Sequence, residues 1–178
     1  MSRRRVALSV GFPPIADPAA RVLILGSLPG VKSLQAQEYY AQPYNAFWRI
    51  MGELFGARRE LPYAARVERL RAHGIAVWDV LAAGEREGSL DAAIVPASVV
   101  VNDFNWFFER HREIRSICFN GNTAATLFRR KVQPGLAPEW AATPQHALPS
   151  TSPAHASLRF EQKLARWAAV LGDLAAGT

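Results

Sequence analysis

The chain has 178 residues, 49% of them hydrophobic, which is enough for one domain with a sizeable core. Lys and Arg number 21 against 15 Asp and Glu, so the formal net charge is +6 and a polyanionic partner is favoured. Alternatively, the positive charge belongs to an arginine-rich soluble surface that reflects a GC-rich genome. The single cysteine, Cys118, excludes an internal disulfide and any zinc or iron–sulfur site built on four cysteines.

Apolar runs and amphipathic stretches alternate along the chain, which is typical of an α/β fold. The predicted strands are residues 22–26, 75–80, 114–120 and 147–148. The predicted helices are residues 46–55, 61–73, 103–111, 123–130 and 158–174. Residues 133–144 contain three prolines and are predicted to form a loop. Because strands separated by helices favour a parallel sheet with helices on both faces, we expect a single domain over residues 1–178, with three α/β/α layers around a mostly parallel four-stranded sheet.

The first predicted strand ends in a segment with the features of a functional loop. Residues 22–25 are all apolar, as in strands that are buried on both faces. The run leads into Gly26-Ser27-Leu28-Pro29-Gly30, and ligands of open α/β sheets bind beyond the carboxyl ends of the strands. The two glycines allow a close backbone approach, and the proline fixes the turn between them.

Downstream of this loop the chain reads Tyr39-Tyr40-Ala41-Gln42-Pro43-Tyr44-Asn45-Ala46-Phe47-Trp48. The loop and this segment resemble the signature of the uracil-DNA glycosylase superfamily, and most closely its hypoxanthine-DNA (deoxyinosine) glycosylase branch. Residues 76–80, 119–121 and 148–155 match in the same order, so the resemblance covers about residues 21–155. It implies a uracil-DNA glycosylase-like fold and a monofunctional, metal-independent DNA glycosylase without a cofactor. The implied partner is DNA with a damaged base, double-stranded or single-stranded.

The resemblance places the functional asparagine of the branch at Asn45. Its amide can hold a water through the oxygen and donate from the nitrogen to the base or a phosphate. An asparagine here also suits a cap of the helix predicted to begin at Ala46, and both roles can hold together. Many superfamily members carry an acid or asparagine directly after the first glycine of the motif, where this chain has Ser27. A hydroxyl is a poor general base, so catalysis shifts toward Asn45, and Ser27 is expected to bond water or phosphate, or to be a plain turn serine.

The base pocket implied by the resemblance is lined by Gly26, Leu28, Pro29, Gly30, Tyr40 and Asn120. Tyr40 resembles the aromatic residue that stacks on the extruded base, although Tyr39 and Tyr44 compete for that role. Asn120 closes the third strand, and its amide offers a donor and an acceptor to a lactam edge. The alternative is a turn asparagine before a glycine. Asp79 also ends a strand, but capping of the next turn is the simpler account of its carboxylate.

The residues expected to contact DNA lie in the first loop region and in a second loop: Lys32, Ser150, Thr151, Ser152, Pro153, Ala154 and His155. Hydroxyls and N–H groups of residues 150–152 can hold phosphates. The resemblance makes Ala154 the wedge position and puts Ser150 where some relatives carry a catalytic histidine. A small wedge indicates that extrusion relies on a weak or mismatched pair, as a hypoxanthine lesion supplies. His155 is expected to fill that gap, to touch phosphate or to be a surface cap, and no metal ligand is expected.

We therefore expect hydrolysis of the N-glycosidic bond of deoxyinosine, which releases hypoxanthine and leaves an abasic site. Two alternatives stay open. One is a glycosylase of the same fold that prefers uracil or xanthine. The other is a non-catalytic DNA-binding module, which the departure at Ser27 and the small Ala154 support. We further expect a monomer in the cytoplasm of a bacterial-type cell, associated with the nucleoid when acting and away from membranes.

Overall fold

The computed structural model describes residues 6–176, with side chains up to residue 174. The strands are β1 (Leu8–Val10), β2 (Val22–Gly26), β3 (Ile75–Asp79), β4 (Leu81–Glu85), β5 (Val100–Val101), β6 (Ser116–Asn120) and β7 (Gln145–Leu148). The α-helices are α1 (Val31–Ala36), α2 (Phe47–Phe55), α3 (Tyr63–Ala72), α4 (Phe104–Arg110), α5 (Asn122–Leu127), α6 (Pro138–Ala141) and α7 (Phe160–Ala176).

The central sheet has four parallel strands in the order β3-β2-β6-β7. In its register Leu25 lies between Trp78 on one neighbouring strand and Phe119 on the other. Every residue of β2 and β3 is buried, as their continuous apolar sequences predict for strands covered on both faces. The predicted α/β fold with a mostly parallel four-stranded sheet is confirmed.

Helices cover both faces of this sheet and complete the three layers. On one face the ring of Phe104 in α4 lies 5.0 Å from Trp78, and the ring of Phe128 lies 5.3 Å from Phe119. On the other side α2 packs against α3 and α7, with the rings of Phe47 and Trp167 6.3 Å apart. None of the helices within residues 6–176 is both long enough and apolar enough to cross a membrane.

The structure corrects the sequence prediction after β6. The helix predicted over residues 123–130 begins at Asn122 and changes to a π-helix over Phe128–Val132. The predicted loop over residues 133–144 contains a 3₁₀ turn at Gln133–Gly135 and the short helix α6. Prolines at positions 134 and 138 caused the error, because proline also suits the first turn of a helix.

A second, antiparallel sheet with the order β1-β4-β5 was not predicted. β1 and β5 have three and two residues, and β4 reads Leu-Ala-Ala-Gly-Glu, which lacks β-branched residues. β4 follows β3 after the single residue Val80, whose N–H donates to the Gly26 carbonyl at 2.8 Å. The chain therefore passes directly from the edge of the parallel sheet into the small sheet, which extends beside the loop that follows β2.

Candidate active site

The carboxyl ends of β2, β3 and β6 bring Gly26, Asp79 and Asn120 to one edge of the sheet. A Cβ atom added at Gly26 would lie 2.6 Å from Asp79 Oδ1 and 3.0 Å from Tyr40 Oη. The first distance is shorter than real Cβ atoms show and the second is tight, so a side chain at Gly26 would force Asp79 to move. The predicted pocket residues Gly26 and Tyr40 are thus in close proximity, together with a carboxyl group that the sequence alone did not favour.

Asp79 is 4% exposed, and none of the described residues forms a hydrogen bond with its Oδ2 atom. Burial raises its pKa to about 7; the nearby Asp91 raises it as well, and Arg86 lowers it. The turn after β3 is closed by backbone bonds from Val80 and Leu81 to the carbonyls of Gly26 and Ser27. The expected capping role of Asp79 is therefore replaced by a buried carboxyl at the site.

Tyr40 has a left-handed backbone, with φ of 54°, which is unusual for an aromatic residue. Its ring stacks on Phe47 with a centroid distance of 4.0 Å, so protein covers one face and a base could pack only on the other. Its buried hydroxyl makes no hydrogen bond of good geometry with the described residues, although it lies near the Asn120 amide. Burial, followed by Asp79, raises the pKa of Tyr40, and the Asn120 amide lowers it. Of the two competing rings, Tyr39 is buried with its hydroxyl bonded to the Pro13 carbonyl at 2.9 Å, and Tyr44 is 81% exposed.

Asn45 acts on the start of α2. Its Oδ1 accepts the N–H of Phe47 at 2.9 Å, and the helix begins at Phe47, one residue later than predicted. Its Nδ2 group has no partner among the described residues. The side chain lines a groove of about 690 Å³ that is shared with Thr151 and His155. The N-cap residue of α2 is Ala46, so Asn45 is not the expected cap. It lies one position earlier, where its oxygen accepts the N–H of the first helical residue and its nitrogen stays available.

Thr151 joins the three segments of the site. Asn120 Nδ2 donates to Thr151 Oγ1, and the Thr151 N–H donates to Asn120 Oδ1, both at 2.8 Å. The Thr151 carbonyl accepts the N–H of Ala46 at 2.9 Å, and the residue is 1% exposed. The expected phosphate ligand is thus a buried connector between the end of β6 and the Asn45 segment, and Asn120 keeps one amide hydrogen for another partner.

The second loop, residues 149–155, is held by α7. Lys163 is 5% exposed, and its Nζ donates to the carbonyls of Ser152 at 3.3 Å and His155 at 2.7 Å. Burial lowers the pKa of Lys163. Trp167 donates from Nε1 to the Pro149 carbonyl at 2.9 Å. The sequence analysis missed Lys163, although it lies four residues before Trp167 and eight before Leu171, in line with the apolar face of the helix.

The tip of the second loop is exposed at Pro153 and Ala154. Ser150 and Ser152 are half-buried, and their hydroxyls accept the N–H groups of residues 152 and 154 at 3.2 Å. The His155 ring contacts the Ser157 hydroxyl at 3.3 Å. The predicted DNA-contacting residues of this loop therefore share one surface, with the exception of the buried Thr151.

The first loop, residues 26–30, is held by the small sheet. Ser27 donates its hydroxyl to Asp91 Oδ1 at 2.6 Å. Arg86, 4% exposed, donates to the carbonyls of Leu28 and Pro29 and lies 3.7 Å from Asp91. Leu28 and Pro29 are buried, whereas Lys32 is exposed on α1. The sequence analysis missed Arg86 and Asp91 because they follow their partners by 57 to 64 residues and no local pattern announces such contacts.

Comparison with known proteins shows the family to which the chain belongs. The model of the family described as the uracil DNA glycosylase superfamily matches residues 13–175. A protein of Methanosarcina acetivorans named hypoxanthine DNA glycosylase is 41% identical over 115 residues, which are 64% of this chain and 72% of the relative. A protein of the same name from Methanosarcina barkeri is 38% identical over 112 residues, 62% of this chain and 70% of the relative. The solution NMR structure of a candidate uracil DNA glycosylase from M. acetivorans has a TM-score of 0.76 at 33% identity, and the alignment covers 94% of this chain and 99% of that one.

Proposed function

We propose that this chain, which belongs to the uracil DNA glycosylase superfamily, hydrolyses the N-glycosidic bond of deoxyinosine in DNA, releasing hypoxanthine and leaving an abasic site. The observation that carries the proposal is the set of hydrogen bonds through Thr151 that joins the Asn45 segment to Asn120 at the carboxyl edge of the sheet, where Tyr40 also approaches Gly26. The Asn45 Nδ2 group has no hydrogen-bond partner among the described residues. The relatives named hypoxanthine DNA glycosylase support the choice of base.

The reaction breaks the bond between the sugar carbon C1′ and the base nitrogen, and the base takes the bonding electron pair. The base is first extruded from the duplex and packs on the face of Tyr40 opposite Phe47. Asn45 holds the attacking water through the second lone pair of Oδ1 and donates from Nδ2 to the departing base, on which negative charge develops. The water oxygen bonds to the electron-poor C1′ atom, and one of its protons passes to a nearby base or to solvent. Dipoles fixed before the reaction are worth several kcal/mol at such a transition state, and the hydrogen bond to Phe47 fixes this amide.

Recognition of the base falls to Asn120, whose second amide hydrogen can donate to a carbonyl oxygen such as O6 of hypoxanthine. Both bonds with Thr151 hold the amide in one orientation, so the donor is aimed before the base arrives. Adenine carries an amino group instead of that oxygen. The arrangement therefore favours a deaminated base over its parent.

The DNA strand is held by Lys32 on one side of the site and by Ser150, Ser152 and the Pro153–Ala154 tip on the other. The net charge of +6 favours a polyanion on this surface. We also propose that the chain works as one domain and as a monomer, on double- or single-stranded DNA, inside the cell. Contacts from both sheets to the first loop support the single domain.

The test is alkali-revealed cleavage of a labelled duplex that carries one deoxyinosine, with uracil and xanthine duplexes in parallel. Wild type is expected to cut at inosine, and Asn45→Ala to reduce the single-turnover rate by about 100-fold or more. Loss of the hydrogen bond to Phe47 costs the variant about 1 kcal/mol of unfolding free energy, so rates are compared well below its melting temperature. The exposed Asn122→Ala is the matched control and keeps the wild-type rate.

Other outcomes would overturn parts of the proposal. Faster cleavage at uracil or xanthine than at inosine assigns a different base. DNA binding without an abasic product on any of the three lesions identifies a non-catalytic binding module. Full activity of Asn45→Ala removes Asn45 from the reaction while leaving the activity in place.

A further inference from the structure

We propose that Asp91 is the final acceptor of the proton of the hydrolytic water, which it receives through the hydroxyl of Ser27. The inference rests on the proposed glycosidic hydrolysis and adds the base that Asn45 does not provide. An amide cannot accept a proton at neutral pH, and neither can an isolated serine hydroxyl. A carboxylate can accept this proton, and Asp91 is bonded to the loop residue that follows Gly26.

The side chains of Ser27 and Asp91 are in direct contact. Ser27 Oγ lies 2.6 Å from Asp91 Oδ1, a distance typical of a hydroxyl that donates to an ionised carboxylate. This bond fixes the direction of the hydroxyl hydrogen toward Asp91. The lone pairs of Ser27 Oγ are then the only part of the hydroxyl that can face a water, and their basicity is raised by the carboxylate behind them.

The Asp91 side chain is 40% exposed, whereas its neighbour Arg86 is buried. Arg86 lies 3.7 Å from the same Oδ1 atom and also donates to the carbonyls of Leu28 and Pro29. The guanidinium thus keeps Asp91 next to the loop, and the exposed fraction of Asp91 leaves part of the carboxylate in contact with solvent.

Asp91 also interacts electrostatically with two other titratable groups, Asp79 and Tyr40. Asp91 raises the pKa of the buried Asp79, and it also contributes to the raised pKa of Tyr40. Asp79 Oδ1 and Tyr40 Oη lie 2.6 Å and 3.0 Å from the position that a Cβ atom added at Gly26 would take. The carboxylate therefore lies close to the edge at which the base and sugar are expected, and its negative charge stabilises a cationic sugar.

The proton transfer balances. The water oxygen bonds to C1′ as the bond to the base breaks, and the base leaves with that electron pair. One water proton moves to Ser27 Oγ, and the Ser27 hydroxyl proton moves to Asp91 Oδ1. The products are the abasic sugar, a base anion, a neutral serine and a protonated Asp91, which later loses its proton to solvent or to the departing base.

The test compares Asp91→Asn, Ser27→Ala and the double variant under single-turnover conditions on the deoxyinosine duplex. Each single variant is expected to lower the cleavage rate by about 100-fold, a typical loss for a missing general base. The double variant is expected to be no slower than the slower single variant, since both remove one relay. Affinity for a duplex with a stable abasic analogue should change less than about threefold. Glu87→Gln, an exposed acid of the same loop, is the matched control and keeps the wild-type rate.

Three results would overturn the relay. Asp91→Asn with a rate within about threefold of Glu87→Gln shows that no proton goes to Asp91. Additive losses in the double variant, or equal losses of rate and affinity, show that Asp91 only holds the first loop in place and accepts no proton. Ser27→Ala leaves the contact between Arg86 and Asp91 in place, so a loss of rate in this variant is not caused by loss of that structural contact. A wild type that makes no abasic product on any lesion refutes the proposed function itself, whereas an active wild type with an active Asp91→Asn refutes the relay alone.

Discussion

The first and second loops of the site are both held from behind by a buried cation that donates to two carbonyl groups, but the two cations differ in their neighbours. Arg86 holds residues 28 and 29 and has Asp91 at 3.7 Å. Lys163 holds residues 152 and 155, and no carboxylate of the described residues lies within 4 Å of it.

This difference matches the chemistry expected at each loop. The positive charge behind the first loop is balanced by acids, so it does not oppose a cationic sugar at the transition state. The charge behind the second loop is unbalanced and favours the phosphates of a DNA strand. The same device, a cation bonded to carbonyls, therefore supports catalysis in one loop and strand binding in the other.

Removal of the balanced cation is the largest expected effect. Arg86→Met leaves Asp79 and Asp91 without their positive neighbour and frees two carbonyl groups, so we expect a loss of about 3–5 kcal/mol of unfolding free energy. Chemical denaturation measures it. The exposed Arg112→Met serves as the control, because its side chain bonds only to the carbonyl of Glu109, three residues earlier. A loss below about 1 kcal/mol would show that Arg86 does not fasten the loop.

The buried acid beside the first loop predicts a pH dependence of stability. The pKa of Asp79 is about 7 in the folded chain and about 3.9 when unfolded, so the folded state binds the extra proton between these values. The unfolding free energy should therefore fall as pH rises from about 4 to 7, by up to about 1.4 kcal/mol per unit. Asp79→Asn, a neutral isostere, should lose this slope and exceed wild type in stability at pH 8.

Urea unfolding of wild type and Asp79→Asn between pH 4 and pH 8 measures this effect. Glu109→Gln is the control, since that side chain is exposed on α4. Parallel curves for wild type and Asp79→Asn would contradict a raised pKa of Asp79.

Removal of the unbalanced cation has a smaller effect on stability and a specific effect on DNA binding. Lys163→Met loses two hydrogen bonds from a charged donor, which costs about 1.5–3 kcal/mol. The DNA dissociation constant should rise several-fold, while the single-turnover rate at saturating enzyme changes little. Binding isotherms at several salt concentrations measure this, with the exposed Arg166→Met of the same helix as the control. Equal DNA affinities of Lys163→Met and wild type would show that the charge behind the second loop does not contribute to strand binding.

The central sheet was predictable because its strands are continuous apolar runs that end in chemically distinctive residues. Gly26, Asn45, Asn120 and the second loop were found through local motifs, and the sheet brings the first three together through strand order and the bonds of Thr151. Sequence order and strand direction were sufficient for this part of the fold, and the roles of these residues at the site stay predictions.

The parts that were missed depend on contacts between distant residues. Arg86 and Asp91 lie between β4 and β5 of the unpredicted sheet, and nothing in their local sequence marks them as partners of residues 27–29. Thr151 has the sequence of a phosphate-binding loop residue, yet its burial makes it a connector. Lys163 was not predicted to hold the second loop, since a lysine in an amphipathic helix is ordinarily solvated. Tertiary burial changed the role of each of these residues.

Thr151 has a consequence for the synthesis of the chain. Its backbone and hydroxyl connect the end of β6 with the residue that precedes α2, so the segment around Asn45 is not held in place until residue 151 has emerged. A nascent chain that ends before this point can form β2, β3 and β6 but not the finished site. The second loop is therefore needed to complete the candidate site, and chains that end before residue 151 are expected to be inert toward DNA.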